Sequence, residues 1–174
     1  MQALTIHQPW ASAIIAGPKR VENRTWHPRR FGLRPPFVLA IHAAKRKPLW
    51  CDIANVYHAW PALPDDLPLG AVLGYVRVDS AVPMTEAHRV DPWAVGPFLW
   101  KISRVWALPH EHLIYRRGQQ AFWFMTGEEA SRLILLSKEV GAAPRPGLFN
   151  QECMAEPHWP GRNGCDCKRC RGGD

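Results

Sequence analysis

The chain has 174 residues and a formal net charge of +7, and 47% of its residues are hydrophobic. This is the composition of a globular protein, which excludes wholesale disorder, and the length corresponds to one ordinary domain. No apolar run approaches the roughly 18 residues that span a bilayer, and the N-terminus lacks a basic-then-apolar signal pattern. We therefore expect a soluble, cytoplasmic protein.

The hydrophobic pattern predicts short strands and about three helices. In chain order these are a strand over 2–6, a helix over 9–17, strands over 21–26 and 37–44, a helix over 47–60, a strand over 71–82, a polar helix-like stretch over 84–94, strands over 98–106 and 121–124, and a helix that ends at Gly141. Pro9 suits the first position of its helix, and Thr126 and Glu129 form a capping box. Because the pattern shows no βαβ alternation, it favours an α+β fold with a small mixed or closed sheet.

The positive charge is concentrated in the first third of the chain. Residues 1–50 contain nine Lys and Arg side chains and one acidic side chain, Glu22, whereas residues 51–174 contain 13 basic and 14 acidic side chains. A local basic patch is typical of proteins that bind phosphate-bearing partners. The alternative is a solvated basic surface that maintains solubility.

Functional side chains are densest between His7 and His42. His7, Gln8 and Trp10 lie where a strand leads into a helix N-terminus, whose free N–H groups favour an anion. His42 ends a strand that the pattern predicts to be buried, so it is either a general base or a histidine that satisfies a backbone group.

Glu22 is predicted to be ionised and paired with Lys19 or Arg24. As an exposed ion pair it would contribute less than about 1 kcal/mol. However, Glu22, Arg24 and Trp26 share one face of the predicted strand, which is an unusual way to build a core. The pattern therefore favours a pocket with a flat apolar wall and converging charges.

Aromatic side chains are interleaved with these cations. Trp10, Trp26, Trp50 and Trp100 occur near Lys19, Arg24 and Lys45, as expected for stacking on unpaired bases beside bound phosphates. The alternative is that Trp100 and Trp106 belong to the core. Trp106 would share a strand face with Phe98 and Ile102, which favours the core for that residue.

Two segments carry a family resemblance. Residues 3–11, with the helix start Gln8-Pro9-Trp10, and residues 17–26, with a G-x-K-x-x-E-x-R element, resemble the beginning of ASCH domains in the PUA-like superfamily. Shorter segments over 38–43, 70–74, 98–100 and 117–123 also resemble ASCH segments and occur in the family's order. The resemblance covers about residues 2–125.

The resemblance implies a small, mostly antiparallel PUA-like β-barrel flanked by helices over residues 1–141, followed by an irregular, Cys-rich extension over 142–174. It also implies a cleft between the first helix and the barrel. PUA-like folds generally bind RNA or modified bases, so we expect single-stranded RNA or a modified nucleotide as the partner and no membrane partner. The predicted ligand-binding residues are His7, Gln8, Trp10, Lys19, Glu22, Arg24, Trp26, His42, Lys45, Arg117 and Gln119.

The resemblance leaves an enzymatic alternative open. The family includes a single-strand ribonuclease and amidohydrolases that deacetylate acetylated cytidine with a lysine, a threonine and a glutamate. The lysine matches Lys19, but Glu22 stands at the threonine position, and Glu86 is a candidate for the glutamate. A metal-independent amidohydrolase would use Glu22 to deprotonate water and Lys19 or Arg24 to stabilise the oxyanion. A metal-independent ribonuclease would use His7 or His42 as the general base on a 2′-hydroxyl and Lys19 on the phosphate.

The C-terminal extension offers ligands for a structural zinc ion. They are Cys153, His158, Cys165, Cys167 and Cys170. The alternative is a flexible, Gly-rich basic terminus whose thiols cluster without a metal. A zinc-stabilised tail that docks a protein partner is a third functional hypothesis, and no cofactor is predicted for the cleft itself.

Overall fold

The computed structural model describes residues 1–140. Its strands are β1 (Gln2–Ile6), β2 (Val21–Arg24), β3 (Phe37–Ala43), β4 (Ala71–Pro83), β5 (Phe98–Ala107), β6 (Ile114–Tyr115), β7 (Phe122–Phe124) and β8 (Lys138–Val140). Its α-helices are α1 (Trp10–Ile15), α2 (Trp50–Ala59) and α3 (Gly127–Leu136). Short 3-10 helices cover Pro28–Phe31, Glu86–Val90 and His110–His112. None of the helices in this part of the chain has the length and apolarity that a bilayer crossing requires.

All the strands belong to one mixed sheet. Its main path runs β2-β5-β4-β3-β1-β7, with β6 added to β4 and β8 added to β5. Only the β1–β3 pair, within the described residues, is parallel, with Ala3 opposite Ala40. Parallel strands need a long crossover connection, and the segment with α1 and β2 provides it between β1 and β3. The α+β class and the mostly antiparallel sheet are therefore confirmed.

Aromatic side chains join the two ends of this sheet. The end strands β2 and β7 are not neighbours in the sheet, so the barrel is half open. Trp26, just after β2, packs edge-on to Phe122 of β7 with ring centroids 5.3 Å apart and to Trp100 at 5.0 Å. Trp100 is fully buried. Packing of rings therefore takes the place of backbone hydrogen bonds where the half-barrel would otherwise close.

This packing corrects two of the sequence predictions about tryptophan side chains. Trp100 is a core residue, so it is unavailable to stack on a base. Trp106, predicted to be core, is instead half-buried and stacked on Tyr75, with ring centroids 4.7 Å apart. The pairing of β4 with β5 shifts register around Val78, which breaks the alternation along β5 and turns Trp106 away from the face that holds Ile102.

Several predicted boundaries also need correction. The last helix was expected to reach Gly141, but it ends at Leu136 because Ser137 is extended and the chain then pairs with β5. Its predicted capping box is present, with the Thr126 side chain accepting from the Glu129 backbone N–H. Pro9 is the N-cap rather than the first helical residue. The predicted boundary of the domain and the extension over 142–174 lie outside the described residues.

Candidate functional site

A cavity of about 350 Å³ opens where the end of β1, the start of α1, β2 and the start of α2 meet. Fifteen residues from these elements and their loops line it. They are Thr5, Ile6, His7, Gln8, Trp10, Lys19, Glu22, Asn23, Arg24, Arg46, Lys47, Pro48, Leu49, Asp52 and Val95. Six of the predicted ligand-binding residues are therefore brought together, namely His7, Gln8, Trp10, Lys19, Glu22 and Arg24.

An ionic cluster with two buried members and one half-buried member forms the bottom of the cavity. Lys19 Nζ lies 3.2 Å from Glu22 Oε2, and Arg24 Nη2 lies 3.0 Å from Glu22 Oε1. The Lys19 and Glu22 side chains are only 2% and 10% exposed. Burial lowers the pKa of Lys19, and the Glu22 carboxylate partly opposes this effect by favouring the ammonium. Two cations around one carboxylate leave the cluster with one net positive charge.

Local structure explains why Lys19 points inward. Its backbone N–H donates to the Ala13 carbonyl at 3.0 Å, which turns the chain back after α1, and its Nζ also donates to the Val21 carbonyl. Gly17 makes this turn possible, because a Cβ there would lie 2.9 Å from the Ala13 carbonyl oxygen and 2.9 Å from the Trp60 ring. Glu22 then follows on β2, which places its carboxylate against the ammonium.

Gln8 has a structural role in the cavity wall. Its side-chain oxygen accepts from the Ser12 backbone N–H at 3.1 Å, which satisfies a free donor in the first turn of α1. Its amide nitrogen donates to the Pro68 carbonyl at 2.9 Å. Gln8 is fully buried, so these bonds hold α1 in place beside the cavity.

The rim of the cavity is basic and contains one acid. Arg46 and Lys47 are exposed on the loop between β3 and α2, and Asp52 lies in the first turn of α2. Burial raises the pKa of Asp52, while the nearby His7 and Arg46 act in the opposite direction. Asp52 forms no salt bridge with any other described residue.

His42 lies outside the cavity lining and contacts Thr5, which is part of that lining. It is 1% exposed, its Nε2 donates to the Arg116 carbonyl at 3.1 Å, and its Nδ1 accepts from the Thr5 hydroxyl at 3.3 Å. Gly118 covers it so closely that a Cβ at this position would lie 2.4 Å from His42 Cε1. His42 is therefore a satisfied core histidine, which was the alternative to its role as a general base.

The other predicted ligand-binding residues also lie away from the cavity lining. Trp26 belongs to the aromatic cluster between β2 and β7. Lys45, Arg117 and Gln119 are exposed on loops. Trp50, predicted to stack on bases, is 68% exposed on α2 and is likewise absent from the lining.

Sequence reasoning missed the contribution of the β3–α2 region. Arg46 and Lys47 were counted in the basic patch but not assigned to the site, and Asp52 was not noted at all. Asp52 lies in the first turn of α2, where an acid is favourable to the helix itself, so its position gave no functional signal. No pattern indicated that this helix start faces β2.

The cavity combines chemical features that suit a flat anionic ligand. The Trp10 indole is held edge-on by Trp93, with ring centroids 6.4 Å apart, and supplies aromatic surface. Arg46 and Lys47 supply exposed positive charge. No three His, Cys, Asp or Glu side chains converge as a metal site in residues 1–140, and the predicted zinc ligands lie outside that range.

The architecture and the cavity together define an α+β protein with a cleft between its first helix and a curved, mostly antiparallel sheet. The ASCH domain model matches residues 4–116, which is well over half of the chain. The chain therefore belongs to the ASCH domain family, as the sequence resemblance implied.

The chain is similar to part of a longer protein and to a solved ASCH structure. The chain is 35% identical over 80 residues to Activating signal cointegrator 1 of Homo sapiens and 34% identical to the same protein of Mus musculus. The match covers 42% of this chain and 13% of each relative, so the chain spans a small part of their length. Among solved structures, ASCH from Zymomonas mobilis superposes with a TM-score of 0.47 and 14% identity over 80% of this chain and 96% of that one.

Proposed function

We propose that this ASCH protein binds single-stranded RNA, or a modified nucleotide, and that the cavity holds one nucleotide unit. The observation that carries the proposal is the buried pair of Lys19 and Glu22, with the half-buried Arg24 beside it, at the bottom of a cavity with a basic rim. Burial of a cation has a desolvation cost, which a cation on an exposed surface does not have.

Phosphate groups are expected at the rim. Arg46 and Lys47 are exposed, adjacent in the chain and part of the cavity lining. Exposed cations of this kind neutralise phosphates and release counterions, which makes affinity fall as salt rises. This supports an anionic ligand whose charged part stays near solvent.

The base is expected to enter the cavity. Its volume of about 350 Å³ lies in the range of small-ligand pockets, and the Trp10 indole provides a surface for stacking. Single-stranded RNA exposes unstacked bases that an aromatic side chain can accept, whereas a duplex does not. The proposal is therefore restricted to single strands and free nucleotides.

The test compares two double variants that change the net charge equally. Arg46→Glu with Lys47→Glu alters the cavity rim, while Arg29→Glu with Arg30→Glu alters exposed residues outside the lining. Fluorescence anisotropy with a labelled single-stranded RNA 10-mer is measured over a salt series. We expect the rim variant to bind at least about tenfold more weakly, with a log–log salt slope shallower by about 1.4 for two lost phosphate contacts.

The control variant should lose much less affinity and keep a steeper slope. Equal losses in the two variants would show that binding depends on overall charge and would contradict the cavity as the site. Absence of salt-dependent binding by the natural chain would contradict the function itself.

A second candidate function is hydrolysis of a nucleotide derivative, favoured by the 3.2 Å contact between Lys19 and Glu22 in a cavity that His7 also lines. Glu22 would take a proton from water as the water attacks the acetyl carbonyl of acetylated cytidine, and Lys19 would stabilise the developing oxyanion. The C–N bond would then break, with Glu22 returning its proton to the departing amine, to give acetate and cytidine. Incubation with acetylated cytidine and with labelled single-stranded RNA tests this. Turnover that Glu22→Gln abolishes would support the hydrolase, and its absence in the natural chain would reject it.

A further inference from the structure

One side chain in the cavity is not explained by phosphate binding. Asp52 lines a site whose other titratable or charged side chains are His7, the Lys19–Glu22–Arg24 cluster and the rim cations Arg46 and Lys47. A carboxylate beside a phosphate site repels the ligand. Glu22 avoids this problem because two cations neutralise it, but Asp52 has no salt-bridge partner among the described residues.

The charged side chains that line the cavity differ in burial, and this difference indicates which part of a bound nucleotide would lie beside Asp52. Lys19 and Glu22 at the bottom are buried, Asp52 is half-buried, and Arg46 and Lys47 at the rim are exposed. His7 and Arg46 line the cavity with Asp52, and both oppose the rise in its pKa that burial causes. Asp52 therefore lies at an intermediate depth, next to the rim.

This order matches the order of groups within a nucleotide. A base at the bottom and a phosphate at the rim leave the sugar at the level of Asp52, because the sugar joins the other two groups covalently. An ionised carboxylate only accepts hydrogen bonds, and the hydroxyl groups of ribose are donors that suit it. Acidic side chains read the ribose 2′-hydroxyl in this way in dinucleotide sites.

We infer that Asp52 accepts a hydrogen bond from the ribose 2′-hydroxyl of the bound nucleotide and thereby selects ribonucleotides over deoxyribonucleotides. The inference rests on the proposed function, which supplies the base and phosphate positions. It assigns a specificity-determining residue that neither the sequence patterns nor the family motifs indicated.

Asp52 also has a structural role that the test must separate. It lies in the first turn of α2, where a carboxylate interacts favourably with the helix N-terminus. Loss of this interaction would lower the thermal midpoint but would not change the ratio of RNA to DNA affinity. The ratio is therefore the decisive measurement.

The experiment measures binding of the natural chain and its variants to a uracil-containing 10-mer in ribose form and in 2′-deoxyribose form, so that the bases are identical. We expect the natural chain to bind the ribose form about tenfold more tightly, as one hydrogen bond to a charged acceptor provides. Asp52→Ala should bring this ratio close to one, because the removed charge affects RNA and DNA binding equally, whereas the lost acceptor affects RNA alone. Asp52→Asn, which keeps one acceptor oxygen, should give an intermediate ratio.

Asp65→Ala is the matched control, since Asp65 is exposed and absent from the cavity lining, and it should leave the ratio unchanged. A ratio near one in the natural chain, or an unchanged ratio in Asp52→Ala, overturns the inference. If the rim variant of Arg46 and Lys47 still weakens RNA and DNA binding in that case, the proposed function stands without it. If the natural chain binds neither strand, both fail.

Discussion

Lys19 Nζ lies 3.2 Å from the Oε2 atom of Glu22, with both side chains at least nine-tenths buried. A buried pair of this kind has a large desolvation cost, so its removal one partner at a time is more damaging than its removal as a unit. The exposed pair of Arg77 and Asp79 has a shorter separation, 2.7 Å, but both side chains are more than 40% exposed. Burial, rather than distance, should decide which pair matters for stability.

Glu22→Gln should lower the free energy of unfolding by about 3–5 kcal/mol, because Lys19 loses the carboxylate that favours its buried ammonium and Arg24 loses its ion-pair partner. Lys19→Met should cost less, since Glu22 keeps Arg24 at 3.0 Å. The double variant should lose less than the sum of the two single losses. Urea denaturation measures all three values. Additive losses would contradict a coupled buried pair, and Arg77→Ala, the exposed control, should have a far smaller effect.

His42 should make stability depend on pH. Burial lowers its pKa below the usual 6.5, so the unfolded chain binds a proton at this residue that the folded chain does not. Its contribution is therefore complete above pH 6.5 and is lost as the pH falls, with a slope of at most about 1.36 kcal/mol per pH unit.

The pH dependence is checked by urea denaturation between pH 8 and pH 5. The His42→Gln variant should show a shallower decline towards acid than the natural chain, whatever its absolute stability. His58→Gln, at an exposed position, is the control and should keep the natural decline. Parallel curves for the natural chain and His42→Gln would argue against a buried neutral histidine.

The part of the site that the sequence predicted is the part that is local in the chain. His7, Gln8, Trp10, Lys19, Glu22 and Arg24 lie within 18 consecutive residues, so a single strand–helix–strand unit brings them together. Asp52 and the rim cations reach the same cavity only because the β1–β3 pairing places the start of α2 against it. Local periodicity carries no information about such a contact.

Prediction of the fold from the sequence is limited in the same way. The strand predictions succeeded where alternation was regular, and the prediction for Trp106 failed where a register shift near Val78 reversed the face of β5. The short strand β8 was missed because Lys138–Val140 continues a helix-like pattern, and only its pairing with β5 makes it extended. In both cases a partner strand, rather than the residue's own neighbours, determined the outcome.

Gly118→Ala should destabilise the protein, because the added Cβ would lie 2.4 Å from His42 Cε1 and 2.6 Å from the Thr5 hydroxyl oxygen. Overpacking of this kind costs about 1–3 kcal/mol, and each kcal/mol lowers the thermal midpoint by about 2–4 °C in a chain of this size. Differential scanning calorimetry measures the midpoint. Gly127→Ala is the matched control, since a Cβ there meets no atom within 4 Å. An equal change in the two variants would show that crowding at His42 is not the cause.

Substitution of Trp26 should mainly lower stability, whereas substitution of Trp10 should mainly lower RNA affinity, although both residues were predicted to bind the ligand. Trp26 lies with its ring 5.3 Å from Phe122 in the cluster that joins the ends of the half-barrel, so Trp26→Ala should lower the free energy of unfolding by about 3 kcal/mol. Its RNA affinity, measured under conditions where it remains folded, should stay within about twofold of the natural value, because stacking energy is lost only where a base contacts the ring.

Trp10→Leu keeps an apolar side chain against Trp93 but removes the aromatic surface in the cavity. It should bind single-stranded RNA about tenfold more weakly, which corresponds to the loss of one stacked base, and should lose less stability than Trp26→Ala. Anisotropy titration and urea denaturation of the two variants give the comparison. If Trp26→Ala weakens RNA binding while Trp10→Leu does not, the base contacts the aromatic cluster rather than the cavity, because stacking energy follows the ring that the base covers.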